Sequence, residues 1–302
     1  MRRQGLVVGV EDATFAVERG EIFVIMGLSG SGKSTLLRCA TGLYPATRGG
    51  VLIDGVDLST ASRQTLVALR RQKVGMVFQS FALLPHLSAT DNVAFPLQVA
   101  GVDRGKRRER ADAALALVGL KGLEHRFPSQ MSGGQQQRVG IARSLIADPT
   151  VWFLDEPFSA LDPLIRRDMQ DEFLRLQSQL HKTIVFVTHD LEEAVRLADR
   201  IAIMADGKIL QIGTPEDVVT NPATDYVRRF VSGIPKSRVV RVGRVMGAAQ
   251  ANPDTTGIVL PEDATLHEVM VRILQSEGPL PVVDAHGRIV GSLTRSEVAA
   301  WL

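Results

Sequence analysis

The chain of 302 residues is 45% hydrophobic and 23% charged, a mixture that folds in water and is long enough for two domains. A net charge of +2 gives no electrostatic case for nucleic acid as the main partner, and the single cysteine, Cys39, excludes an internal disulfide and fits a reducing compartment. No segment reaches the roughly 18 apolar residues of a membrane helix, and no apolar run of signal-peptide length follows Met1–Gly5, so a chain in or facing the cytoplasm is expected.

From Leu6 to about Gly213, short apolar runs alternate with helical patterns, which argues for α/β layering. Ile22–Gly27 and Thr183–Thr188 are short, β-branched and bounded by polar or glycine residues, and read as buried strands of a parallel sheet. Cys39 falls on a helical stretch, where a small core residue is expected. The basic run Arg104–Arg110 leads into Ala111, Ala114, Leu115 and Val118 at helical spacing, so it reads as a solvated helix face rather than a binding patch. Ile165, Met169, Phe173, Leu176 and Leu180 recur at the spacing of an amphipathic helix. Gly213-Thr-Pro215, Asn221-Pro222 and Gly233-Ile-Pro235 then punctuate the chain, and a division into residues 1–235 and 236–302 is expected. A polar, alanine-rich loop runs from Met246 to Thr256. Thr265-Leu-His-Glu268 reads as a capping box opening a helix through Leu274. Leu280–Val283 and Ile289–Leu293 read as strands around the turn Asp284-Ala-His-Gly287, with Thr294-Arg-Ser-Glu297 a second capping box before the final helix.

Gly27-Leu28-Ser29-Gly30-Ser31-Gly32-Lys33-Ser34-Thr35 fits the phosphate-loop pattern between an apolar strand and a helix. Its glycines let backbone N–H groups turn inward around phosphate oxygens, and the helix start adds partial positive charge. Lys33 should reach the β- and γ-phosphates of a nucleotide, and Ser34 should ligate Mg2+. Val151-Trp-Phe-Leu-Asp155-Glu156 is an apolar strand ending in two carboxylates: Asp155 to hold Mg2+ through its water shell, Glu156 to orient and polarise an attacking water. Ser132-Gly133-Gly134-Gln135, after Met131 and before a helical run, is a second anion-binding helix start. One chain has little use for two phosphate sites beside a single nucleotide. Two copies head to tail do, each signature closing on the nucleotide held by the other.

This order of motifs resembles the ABC transporter ATPases over about two thirds of the chain, from Leu6 to Gly213. The resemblance implies a P-loop α/β domain with a RecA-like core and a helical subdomain, ATP and Mg2+ as cofactors, and a homodimer. Gln79 matches the glutamine loop, which senses Mg2+ and the nucleophile and couples to a membrane subunit. Ser159-Ala-Leu-Asp162 matches the loop that crosses the dimer interface, and His189, in Val187-Thr-His-Asp190, the switch histidine at the γ-phosphate. The implied catalytic set is Glu156, His189, Lys33 and Gln79, with Ser34, Gln79 and Asp155 at the metal and Ser132, Gly133, Gly134, Gln135 and Asp162 acting in trans.

Met76–His86, Asp91–Phe95, Ser159–Arg166, Gly213–Pro215 and Asn221–Arg228 are similar to the ATP-binding subunits of glycine betaine/proline importers. This implies uptake of a quaternary amine osmolyte, polytopic permease subunits, an extracytoplasmic solute-binding protein, and a peripheral place on the cytoplasmic face of the inner membrane. Another solute, or a nucleotide-dependent regulator outside transport, is the alternative. Pro281-Val-Val-Asp284, Gly287–Gly291 and Leu293–Ser296 resemble a single CBS motif, where the family usually has two in tandem. One copy either shares a ligand site with its counterpart in a dimer or only clamps the dimer. ABC ATPases also stack adenine on an early aromatic. None precedes Phe15 here, so either the start is incomplete or another residue packs the base.

Overall fold

The computed structural model describes residues 8–248, 258–276 and 278–301. Most of the expected loop between Met246 and Thr256 lies outside them. The chain forms two compact units, Met1–Leu210 and Gln211–Leu302.

In the first unit, every residue of β1 (Ile22–Met26) is buried, as a strand covered on both faces requires. It runs into α1 (Lys33–Ala40), the hairpin β2 (Leu52–Ile53) and β3 (Val56–Asp57), α2 (Arg63–Gln72) and β4 (Val74–Val77). Three helices that pack on one another follow: α3 (Ala89–Val99), α4 (Arg104–Leu117) and α5 (Gly133–Leu145). Next come β5 (Val151–Asp155), α6 (Pro163–Leu180), β6 (Thr183–Thr188), α7 (Leu191–Leu197), β7 (Arg200–Ala205) and β8 (Lys208–Gly213). The six-stranded sheet has the order β4-β5-β6-β1-β7-β8, and the pairs from β4 through β7 are parallel. The carboxyl ends of β5, β6 and β1 therefore lie side by side. That edge is where open α/β sheets bind ligands.

Trp152, Phe158, Phe173 and Phe186 make one aromatic cluster, with Trp152 and Phe173 centroids 5.6 Å apart and Phe158 and Phe186 5.8 Å apart. The Trp152 indole N–H donates to Ser144 Oγ at 2.9 Å, which satisfies its one polar atom inside the core. Of the stripe expected on α6, Met169, Phe173 and Leu176 are buried, but Ile165 is 40% exposed. Ile165 leans on the backbone of Gly134 at the surface instead of entering the core. Cys39 is part-buried rather than a core residue, and burial pushes its thiol up. On α4, Ala111 and Leu115 are buried while most of the basic run stays in solvent, with Arg110 donating to the Ile146 carbonyl. No helix among the described residues is long and apolar enough to cross a membrane.

The segment between β4 and α3 is held by Asn92, which is fully buried. Its Nδ2 donates to the carbonyls of Leu84, Leu87 and Ser88 at 3.0 Å, and its Oδ1 accepts from Leu84 N at 2.8 Å. Removing one side chain thus leaves several backbone groups without partners. Asn92→Ala is expected to cost about 2 kcal/mol, read as a lower urea midpoint at unchanged slope. An unmoved midpoint would mean that water replaces the amide.

In the second unit, α8 (Pro215–Thr220) and α9 (Asp225–Val231) start at Thr214 and Thr224, whose hydroxyls accept from Asp217 N and Val227 N. Then come α10 (Val242–Val245), β9 (Leu260–Pro261), α11 (Leu266–Gln275), β10 (Leu280–Val283), β11 (Ile289–Leu293) and α12 (Arg295–Ala299). β10 pairs with β11 antiparallel and with β9 parallel. Both expected capping boxes form, Thr265 with Glu268 and Thr294 with Glu297. The units divide before residue 235 because the intervening segment is bonded to the C-terminal strands and helix. Val242 N donates to Ala264 O, Leu266 N to Val240 O and Gly247 N to Ser292 O, and Arg244 pairs with Glu216 at 3.2 Å.

Candidate active site

Five side chains expected to carry chemistry come together where β5, β6 and β1 end. The loop after β1 turns at Gly27 and enters α1 at Lys33. Two glycines there answer to close approach of backbone. A Cβ on Gly27 would stand 2.1 Å from the Met204 carbonyl oxygen, and one on Gly32 would stand 2.0 Å from that of Gly9. Leu28, Ser29 and Gly30 are exposed at the rim, Ser31 and Lys33 are buried, and Ser34 and Thr35 are part-buried. Lys33 Nζ donates to the carbonyls of Gly27 at 2.8 Å and Leu28 at 3.0 Å, folding back over its own loop. Burial pulls its pKa down, against the pull of the Glu156 and Asp155 charges. Ser31 Oγ is buried without a protein partner, and no other side chain fills the loop it faces.

Asp155 is the last residue of β5, and Ser34 Oγ donates to its Oδ1 at 2.9 Å. Burial pushes the Asp155 carboxyl up, opposed by that hydrogen bond and by Arg38. Two hard oxygens this close, on a hydroxyl and a carboxylate, suit a cation that keeps most of its shell for water and phosphate, as Mg2+ does. Glu156 follows at φ +46, held in this left-handed conformation by Glu156 N donating to Val187 O and by Ser159 Oγ donating to Glu156 O at 2.9 Å. The turn aims its carboxylate across to the end of β6, where Glu156 Oε2 lies 3.1 Å from His189 Nδ1. His189 is itself exposed.

Gln79 lies two residues beyond β4 and is exposed. Ser132 caps α5, its hydroxyl accepting from Gln135 N and the Gln135 side chain accepting from Ser132 N at 3.0 Å. Gly133 is exposed beside it and Gly134 buried. Asp162 is exposed before α6. Among the described residues, no hydrogen bond or ion pair joins Ser132–Gln135 or Asp162 to the loop Gly27–Thr35. Phe15, the first aromatic, stacks on Phe23 at 5.0 Å rather than standing free for a base.

The model of the ABC transporter family matches residues 10–159, and that of the CBS domain matches residues 253–302. The trimethylamine N-oxide transport system ATP-binding protein of Pelagibacter ubique is 52% identical over 97% of this chain and 86% of its own length. Its counterpart in Ruegeria pomeroyi is 54% identical over 98% of this chain. The chain belongs to the ABC transporter ATP-binding family. The glycine betaine/proline betaine transport ATP-binding protein of Escherichia coli is 54% identical over 79% of this ABC ATPase and 60% of that protein. A dimeric ATP-binding cassette in a post-hydrolysis state bound to ADP and Pi aligns with a TM-score of 0.63 at 35% identity, over 69% of this chain and 91% of that one.

Several residues that brace the site of this ABC ATPase carried no sequence signal of their own. Arg166, on α6, donates to the Leu161 carbonyl at 3.2 Å and to Asp190 at 3.4 Å, so it ties the Asp162 loop to the residue after His189. Gln170 donates to the buried Glu193 at 3.0 Å, and burial pushes that carboxyl up. Arg143, on α5, reaches back to the segment after Gln79. Each acts on a partner between 5 and 62 positions away, most of them on another element, which no local spacing encodes.

Proposed function

We propose that this chain hydrolyses ATP in a head-to-tail pair of its own copies and so powers uptake of a small methylated amine osmolyte. The support for hydrolysis is the convergence of Lys33, Ser34, Asp155, Glu156 and His189 on one sheet edge. On binding, Lys33 exchanges its two loop carbonyls for β- and γ-phosphate oxygens, and the backbone N–H groups of Gly27–Thr35 wrap the phosphates. Ser34, Asp155 and Gln79 would hold Mg2+, which when bound neutralises phosphate charge. Glu156 orients and polarises the attacking water. His189 steadies the Glu156 carboxylate and contacts the γ-phosphate. Ser132, Gly133, Gly134, Gln135 and Asp162 serve the nucleotide held by the other copy, in keeping with their separation from the chain's own phosphate loop.

Closure and release of this pair drives polytopic permease subunits fed by an extracytoplasmic solute-binding protein, with the ATPase peripheral on the cytoplasmic face of the inner membrane. The CBS-matched C-terminal residues regulate or strengthen the pairing. The solute class follows the relatives: the trimethylamine N-oxide subunits match through the C-terminal residues, whereas the Escherichia coli relative matches 79% of the chain. The test is uptake of labelled trimethylamine N-oxide and of labelled glycine betaine in cells lacking this subunit. Restoration of either by the wild type but not by Glu156→Gln is expected. Uptake of both that is indifferent to the subunit would sink the solute assignment.

A further inference from the structure

We propose that Arg143 is a positioning residue that sets the glutamine loop from the signature helix and acts on hydrolysis through Gln79; this rests on the role proposed above for Gln79. After β4 the chain passes Phe78, Gln79 and Ser80 and reaches Phe81 and Ala82 at φ +58 and +47. Two successive non-glycine residues in the left-handed region are strained and persist only where the surroundings over-determine them.

Arg143 is that determinant. Its Nη2 donates to the Phe81 carbonyl at 2.6 Å and its Nη1 to the Ala82 carbonyl at 2.7 Å. The rigid guanidinium fork fits two neighbouring acceptors at once, which a lysine ammonium cannot match in geometry. Phe81 is anchored as well by its ring, only 8% exposed. Arg143 stands near the end of α5, the helix that begins after Ser132. Beyond the clamp, Asn92 of α3 holds Leu84, Leu87 and Ser88. Residues 78–88 are thus strung between α5 and α3, with exposed Gln79 two positions before the clamped pair.

The consequence is mechanical. A movement of α5 that carries the Ser132 motif also carries Arg143, and the strained pair supplies a relaxed alternative once the fork lets go. Nucleotide-site geometry at Gln79 and the placement of the signature motif then change together.

The test uses the full-length chain as wild type, Arg143→Ala, Arg143→Lys, Gln79→Ala and the Arg143→Ala/Gln79→Ala pair. Arg143→Ala is expected to lower kcat by about tenfold with the KM for ATP within about twofold, and Arg143→Lys to recover little of it. On the Gln79→Ala background, Arg143→Ala is expected to add no further loss. Ala82→Gly, which removes the side-chain penalty of the left-handed conformation, should restore part of the kcat lost in Arg143→Ala. In hydrogen exchange, amides 78–84 should exchange about tenfold faster in Arg143→Ala while those of β5 and β6 keep their protection. A loss that multiplies on the Gln79→Ala background, or unchanged exchange at 78–84, overturns the proposal. A wild-type rate in Gln79→Ala overturns its catalytic half together with the Gln79 reading, and exchange alone then decides the clamp.

Discussion

Glu156→Gln is expected to bind ATP as well as the wild type does and to turn it over about a hundredfold to ten-thousandfold more slowly, the range that a positioned general base contributes. The substitution keeps the size of the side chain and an oxygen that can face His189, so the turn at φ +46 and the 3.1 Å contact have no steric reason to change. What it removes is the carboxylate's ability to polarise water and accept its proton. Neither Ser34 nor Asp155 is touched, and Lys33 keeps its partners, so the groups assigned to phosphate and Mg2+ stay in place. Phosphate release and equilibrium ATP binding, measured on the same preparation, separate the two effects. A sedimentation run with ATP should also show the variant accumulating as a dimer, because the step that releases the sandwich is blocked. Phosphate release within about threefold of wild type would remove Glu156 from the base role.

Gly27→Ala is the second large effect, and here the fold itself is at stake. The added methyl would meet Met204 O at 2.1 Å and Ser31 Oγ at 2.6 Å, on a residue whose φ of +157 already disfavours a side chain. The serine hydroxyl can rotate away. The carbonyl cannot, because Met204 is fully buried in β7, which pairs with β1 from Phe23↔Arg200 to Met26↔Ile203. The loop must therefore lift, and with it the Gly27 carbonyl that Lys33 rests on. A loss of about 3 kcal/mol in unfolding free energy is expected, with ATP affinity down by about tenfold or more. Gly30→Ala is the control: its φ is +80, but nothing stands within 4 Å of the new atom, so it should cost only about 1 kcal/mol. Equal destabilisation by the two substitutions would show that backbone conformation, not contact with β7, governs this loop.

How the site came to be legible differs from residue to residue. The phosphate loop, the acidic pair ending β5 and the Ser132 helix start were readable because each is one short segment whose chemistry depends on adjacent backbone: a glycine where a strand passes, a hydroxyl capping its own helix, a carboxylate at a strand end. The two capping boxes and the strands Leu280–Val283 and Ile289–Leu293 were readable for the same reason, since caps and alternation act over three or four residues. Ile165 was misread because helical spacing reports which face a residue shares, not whether the first turn of that helix still overlies the core.

What only the tertiary structure decided is which distant groups meet. The approach of Glu156 to His189 requires β5 beside β6, and that of Ser34 to Asp155 requires β1 to lie one strand further along the sheet. The Arg143 fork joins residues 61 and 62 positions apart, and Asn92 draws in a loop whose own residues give no sign of it. The unit boundary moved for the same cause, as residues 240–247 find their hydrogen-bond partners in strands that follow them. Local segments carry their own turn, cap and strand preferences in the chain. Long-range pairs depend on how the strands are ordered, and strand order is set by burial of the whole sheet rather than by any one stretch of it.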